Sequence, residues 1–268
     1  MNAHLIDGYE AYTDIVKAFR HAHRGAITNC YLMREELETA IREGRLFLIE
    51  EDACLFILLE QEDYFAFYFY ANPSAQAHSR LPRRDKPFVA NLLFRTAGPQ
   101  RPNGDSLLEA AGFRHCATHR RMQKTPSSEV HSAPAAFCVR STRQRTDDLI
   151  ALWRSTIDPL STAIPSKQMT LPPNEEILRI DEQDGRLLSA IKVAYSGSTA
   201  LLEHLSTRAD QRGRGLGKCL FQAVDQRALE KGVQTIRLWV DERNHAINLY
   251  RHLGFQEDGM VSRQYIAP

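Results

Sequence analysis

Residues 211–218 of this 268-residue chain read Q-R-G-R-G-L-G-K, a composition suited to holding an anion. Glycines at the alternate positions 213, 215 and 217 are interleaved with Arg212, Arg214, Leu216 and Lys218. Glycine accepts positive φ and lets the backbone come close to a ligand. The start of a helix presents N–H groups without partners and carries partial positive charge. With cationic side chains added, a strand-to-helix turn of this kind is a natural phosphate or pyrophosphate site. The nucleotide pattern G-x-x-x-x-G-K-[ST] breaks at Lys218-Cys219, and the glycine spacing does not fit G-x-G-x-x-G. Further side chains with acid, base or nucleophile chemistry lie close in sequence. Glu203 and His204 precede the loop, Cys219 follows it, and Tyr250 comes later.

The elements around the loop must place it between a strand and a helix. Residues 199–207 are rich in strand formers. Leu220, Phe221, Val224 and Ala228 fall on one face of a helix over about 215–231, with Gly232 as its stop. Strands at 176–181, 187–195 and 200–207, with Asp184-Gly185 and Ser196-Gly197-Ser198 as turns, make an antiparallel meander ahead of the loop. A helix begins at Thr146, a strand covers 235–240, a helix 246–253, and Gly254-Phe255 opens a last strand. The first half repeats this order: helices at 9–20 and 33–44, strands at 46–50, 54–60, 64–70 and 89–95, a helix at 107–111 and a strand at 114–124. Residues 125–136, T-P-S-S-E-V-H-S-A-P-A-A, lack large apolar residues and read as a linker. The expected division is therefore 1–124, linker 125–136, and 137–268.

Two motifs carry a family resemblance. Arg212 to Gly217 fits R-x-x-G-x-G, and 244–255, N-H-A-I-N-L-Y-R-H-L-G-F, resembles N-x-x-A-x-x-L-Y-x-x-x-G-F with Asn244 one position closer to Ala246. In this order, with a helix and a strand between, they resemble the GNAT superfamily of N-acyltransferases that use acyl-coenzyme A. The first half resembles the same family in element order and in Ala111-Gly112-Phe113, but has no glycine loop. The expected fold is thus α/β with mixed sheets: two GNAT-like domains, each a mostly antiparallel sheet flanked by helices, the first degenerate. One coenzyme per chain is expected, in the second half.

The resemblance implies a direct acyl transfer, most simply from acetyl-coenzyme A, to an amine of a small molecule or peptide. It assigns Arg212, Gly213, Arg214, Gly215, Leu216, Gly217 and Lys218 to the pyrophosphate. Leu205, Ser206 and Thr207 go to the pantetheine arm, with the Leu205 N–H polarising the thioester carbonyl. Asn244 is a further contact to that arm. Tyr250 would protonate the departing thiolate, and Glu203 would be the general base. In a regular strand His204 points to the opposite face from Glu203, and only a bulge would turn it inward. Cys219 reads as packing, since direct transfer needs no nucleophilic thiol. Two alternatives stay open: a non-enzymatic acyl-coenzyme A-binding module, and a donor carried on an acidic protein docking at the basic stretches 80–86 or 140–145.

Composition narrows the partners. A net charge of +1 gives no general attraction to nucleic acid or membrane. Five scattered cysteines form no C-x-x-C pair, and ten histidines show no ligand spacing, so neither a metal nor a disulfide framework is expected. Residues 1–10 carry Asp7 and Glu10 and no apolar core, unlike a signal peptide. The reducing cytoplasm is the expected compartment.

Overall fold

The computed structural model describes residues 3–73, 82, 85–97, 104–128, 139–164 and 167–268. Most of the expected linker and of the basic stretch 80–86 lies outside the described residues. The chain forms two compact units, Met1–Thr118 with Met260–Pro268, and His119–Gly259. These differ from the expected boundaries at 124 and 137 because two strands begin in one unit and end in the other. Residues 119–124 belong to the second unit, and the last nine residues of the chain belong to the first.

The first unit runs β1 (His4–Leu5), α1 (Tyr9–Ala22), β2 (Ile27–Thr28), α2 (Arg34–Arg42), β3 (Leu46–Glu50), β4 (Cys54–Glu60), β5 (Phe65–Ala71), β6 (Phe88–Arg95), α3 (Asp105–Ala110) and β7 (Arg114–Lys124). Its strands β3, β4 and β5 form the expected antiparallel meander, β6 joins β5 in parallel, and residues 260–267 pair antiparallel with β6. Strand β4 alternates between two cores. Cys54, Phe56 and Leu58 face the cluster that includes Leu107 and Leu108 of α3. Leu55, Ile57 and Leu59 face Tyr12 and Val16 of α1 and Leu37 of α2. Period-two alternation with both faces apolar therefore puts helices on both sides of the sheet.

The second unit continues with β8 (Val139–Thr142), β9 (Gln144–Arg145), α4 (Asp147–Thr156), β10 (Met169–Thr170), β11 (Glu175–Asp181), β12 (Leu187–Ser196), β13 (Thr199–Thr207), α5 (Leu216–Glu230), β14 (Thr235–Asp241), α6 (Ala246–His252) and β15 (Gln256–Ala267). Strands β8, β11, β12 and β13 are antiparallel neighbours, β13 and β14 are parallel, and residues 119–124 of β7 run antiparallel along β14. One face packs Leu178, Ile191 and Val193 against Leu220, Phe221 and Val224 of α5 and Tyr250 of α6. The other packs Ile177, Leu187 and Ala190 against Leu149, Leu152 and Trp153 of α4. Each unit is thus a mixed α/β layer structure around a mostly antiparallel sheet. Short β1, β2, β9 and β10 were not legible in the sequence, because two residues carry no period.

Candidate functional site

The site is built on the parallel pair β13–β14. Its ladder runs from Thr199↔Thr235 to Leu202↔Leu238 and stops there, although β13 continues to Thr207 and β14 to Asp241. Among the described residues, no strand lies beside the β14-facing edge of β13 beyond Leu202. On its other edge β13 pairs with β12 at Lys192↔Glu203 and again at Ala190↔Ser206, so His204 and Leu205 both oppose Ile191. This is a β-bulge, which leaves one residue out of the ladder and turns the strand. His204 takes φ +54°, the only positive φ at a non-glycine among the described residues. The left-handed conformation costs a histidine about 1–2 kcal/mol. The regular-strand expectation for His204 therefore fails at this residue, and the bulge moves its side chain.

Past Thr207 the chain turns through a short 3-10 segment, Ala209–Gln211, into the glycine loop. Gly213 (φ +77°) and Gly215 (φ +83°) both lie in the left-handed region, and Gly215 is the residue at which α5 starts. Only glycine meets this conformation without strain. The first turn of α5 carries no acidic residue. Arg212, Arg214 and Lys218 are exposed. Arg214 donates to the Gln211 side chain. Among the described residues no carboxylate pairs with Arg212 or Lys218. The helix mouth thus combines partner-free N–H groups, two unpaired cations and an open approach, which suits a phosphate group.

Helix α6 closes against this mouth. A Cβ on Gly217 would sit 3.9 Å from Leu249, so the two helices approach closely at the loop. Tyr250 is 8% exposed, with its ring edge-on to Phe221 at 5.7 Å and to Phe255 at 6.0 Å. Burial alone pushes its phenol up to about 12, so it carries its proton at neutral pH. Asn244 accepts the Ala246 N–H at 2.9 Å through its side-chain oxygen, just ahead of α6. It also lines a cleft of about 580 Å³ with Arg243, His245, Asn248 and Arg251. Cys219 is buried in the α5 core, and burial raises its thiol, as packing requires.

The face of the sheet under α4 holds the remaining polar groups. Lys192 bridges Glu203 at 2.9 Å and Glu175 at 3.0 Å. Burial pulls its ammonium down, but the two carboxylates outweigh this and hold it above its ordinary value. The His204 ring stacks on Trp153 at 4.8 Å, and its Nε2 lies 3.4 Å from the Ala163 carbonyl. Burial lowers the imidazole pKa, with Glu203 opposing in part. Two buried atoms here, His204 Nδ1 and Trp153 Nε1, have no hydrogen-bond partner among the described residues. Ser206 is buried and tied by its hydroxyl to Thr156 at 2.7 Å and by its carbonyl to Ser189 at 2.8 Å. Lys192 and Trp153 were not singled out in the sequence. Lys192 was legible in principle, since an antiparallel meander sets cationic and acidic side chains opposite one another. Trp153 was not, because its contact depends on the bulge.

Among the described residues no group of three or more His, Cys, Asp or Glu side chains gathers as a metal site would require. Among the described residues of the two basic stretches, Lys86 pairs with Glu60 at 2.8 Å, Arg145 is buried and donates to the Lys167 carbonyl, and Arg140 and Arg143 are exposed.

A family profile described as the acetyltransferase (GNAT) domain matches residues 174–257. An acetyltransferase of Yersinia pestis is 22% identical over 118 residues, 43% of this chain and 84% of the relative. An L-methionine sulfoximine/L-methionine sulfone acetyltransferase of Pseudomonas aeruginosa is 38% identical over 69 residues, 25% of this chain and 40% of that protein. A GCN5-related N-acetyltransferase from Sphaerobacter thermophilus superposes with a TM-score of 0.56 at 16% identity, covering 96% of this chain and 91% of its own. A tandem GNAT protein from the clavulanic acid biosynthesis pathway gives 0.56 at 14% identity, over 95% and 86%. At these identities the structural likeness is one of fold.

Proposed function

We propose, from the match of residues 174–257 to the acetyltransferase (GNAT) domain profile, that the chain is an acyl-coenzyme A-dependent N-acyltransferase. Acetyl-coenzyme A is the donor and an amine of a small molecule or peptide is the acceptor. One observation carries this reading: β13 parts from β14 beyond Leu202 and leads through a short turn into a helix mouth where, among the described residues, no carboxylate pairs with Arg212 or Lys218. The residues present fit the coenzyme, since the loop offers N–H groups and positive charge where phosphates need them.

When bound, the coenzyme supplies the activated acyl group; the chain's residues do the rest. Residues 212–218 hold the pyrophosphate, through backbone N–H groups and the charges of Arg212, Arg214 and Lys218. Backbone groups of Leu205, Ser206 and Thr207 line the pantetheine arm, and Asn244 keeps its side-chain NH₂ for the same arm. The Leu205 N–H, displaced by the bulge, polarises the acyl carbonyl where charge develops. Tyr250, protonated at neutral pH, donates to the departing sulfur. Glu203, whose carboxylate lies 2.9 Å from Lys192 Nζ, accepts the amine proton directly or through water.

Acetyltransferase relatives favour an enzyme over a non-catalytic binding module. The engaged Lys86 and Arg145 weigh against docking of an acidic carrier at those residues. No helix among the described residues is long and apolar enough to cross a membrane; the cytoplasm is the proposed compartment. The test is calorimetric titration of acetyl-coenzyme A into the intact protein and a Gly215→Glu variant, followed by turnover against a panel of amines. The panel begins with amino-acid-like amines, the class named by one relative. Binding in the parent and none in the variant is expected; no binding in either overturns the proposal.

A further inference from the structure

The first unit contains a second parallel pair that opens in the same way, and the chain itself fills the opening. Strands β5 and β6 pair only at Phe65↔Phe88 and Ala66↔Val89. Strand β4 covers the opposite edge of β5 over its whole length. On the edge that β6 has left, Asn29 is inserted between the two strands. Its Nδ2 donates to the Phe67 carbonyl of β5 at 3.1 Å and to the Asn91 carbonyl of β6 at 3.2 Å. Its Oδ1 accepts the Phe69 N–H at 2.7 Å. Asn29 is 1% exposed. Immediately before it, β2 takes up the end of the same edge, at Ile27↔Ala71 and Thr28↔Tyr70. After it, the Tyr31 hydroxyl donates to the Leu93 carbonyl of β6 at 3.4 Å.

We propose that residues 27–31 are a built-in occupant of a second cleft of the coenzyme-binding type. A parted parallel pair exposes backbone donors and acceptors that must find partners if they are buried. A pantetheine arm meets such groups with its amides; here the amide of Asn29 does so with three bonds and no ligand. The first unit is thus shut to coenzyme by its own side chain, in addition to lacking a glycine loop. The inference rests on reading the β13–β14 opening as a coenzyme cleft.

Amide hydrogen exchange on the full chain, with and without coenzyme A, tests it. Amides of 203–207 should slow by about tenfold or more on adding coenzyme A, while those of 67–71 are already protected and do not change. Coenzyme-dependent slowing at 67–71, or a titrated stoichiometry of two, would overturn the proposal. The variant Asn29→Ala provides an arm that does not depend on coenzyme. Exchange at the Phe69 amide should speed up by about tenfold or more, since losing a buried partner costs about 1–3 kcal/mol. Unchanged exchange there would show that Asn29 is no lock. If Asn29→Ala does not fold, the parent measurement decides alone. Absence of slowing anywhere with coenzyme A would instead defeat the enzyme reading and leave the Asn29 test standing.

Discussion

Strands β5 and β13 are the third strands of two similar meanders, and each leaves a parallel neighbour part-way along. Their exposed edges are then treated in opposite ways. The edge of β5 is met from within, by Asn29 and β2, and no residue of β5 has a positive φ. Past Leu202, no strand among the described residues pairs with that edge of β13, and the strand carries a bulge with a left-handed histidine instead. Backbone strain persists only where surrounding structure holds it in place, and it clusters at functional sites. The comparison teaches that the parted pair is a neutral device. Whether it serves as a site depends on what the rest of the chain places in it.

The largest expected effect concerns the strand on the other edge of β14. Residues 119–124 pair along β14 from Ile236↔Lys124 to Asp241↔His119, and they add the buried Met122 and a buried 2.5 Å ion pair between Lys124 and Asp225. A fragment beginning at residue 137 lacks this strand. It should show no cooperative thermal transition by circular dichroism, whereas a sharp melt would mean that the open cleft is self-sufficient. Within the full chain, breaking the ion pair by Asp225→Ala leaves a buried ammonium and should cost about 3–5 kcal/mol in denaturant unfolding.

The next effects separate the open cleft from the closed one chemically. Gly215→Glu puts a carboxylate and a strained φ at the helix mouth. It should weaken acetyl-coenzyme A at least about 100-fold, roughly 2.7 kcal/mol, and titration of a variant that still binds normally would move the anion site elsewhere. Tyr250→Phe should lower kcat by about 10²–10⁴-fold with coenzyme affinity kept, the scale of a lost general acid. Unchanged turnover under chemistry-limited conditions would return Tyr250 to packing.

The smallest effect reports on the bulge. Because burial lowers the His204 pKa, the unfolded chain binds its proton first as pH falls. Stability is therefore greatest above the ordinary histidine value of about 6.5 and declines below it, by at most about 1.4 kcal/mol per pH unit for one proton. His204→Asn tolerates the left-handed backbone and should remove this share of the acid decline. Parallel curves for parent and variant between pH 7 and 5 would show that His204 is not protected from protonation.

The sequence by itself determined the local elements and the loop chemistry. Strands β3, β4 and β7 have the bounds that alternation and turn residues indicate, and α5 begins where three glycines meet a helical apolar face. Such signals are legible because period and turn chemistry act within a few residues. The tertiary structure alone decided three things. It set the last nine residues beside β6, since a strand's period does not name its partner. It turned His204 with a bulge, since one extra residue against Ile191 is a matter of register. It buried Asn29 in the parted pair, since a lone asparagine in the stretch I-T-N-C-Y looks the same whether it caps a turn or replaces a ligand. Partner choice and register are set by burial summed over the whole sheet, and no single stretch of residues contains that sum.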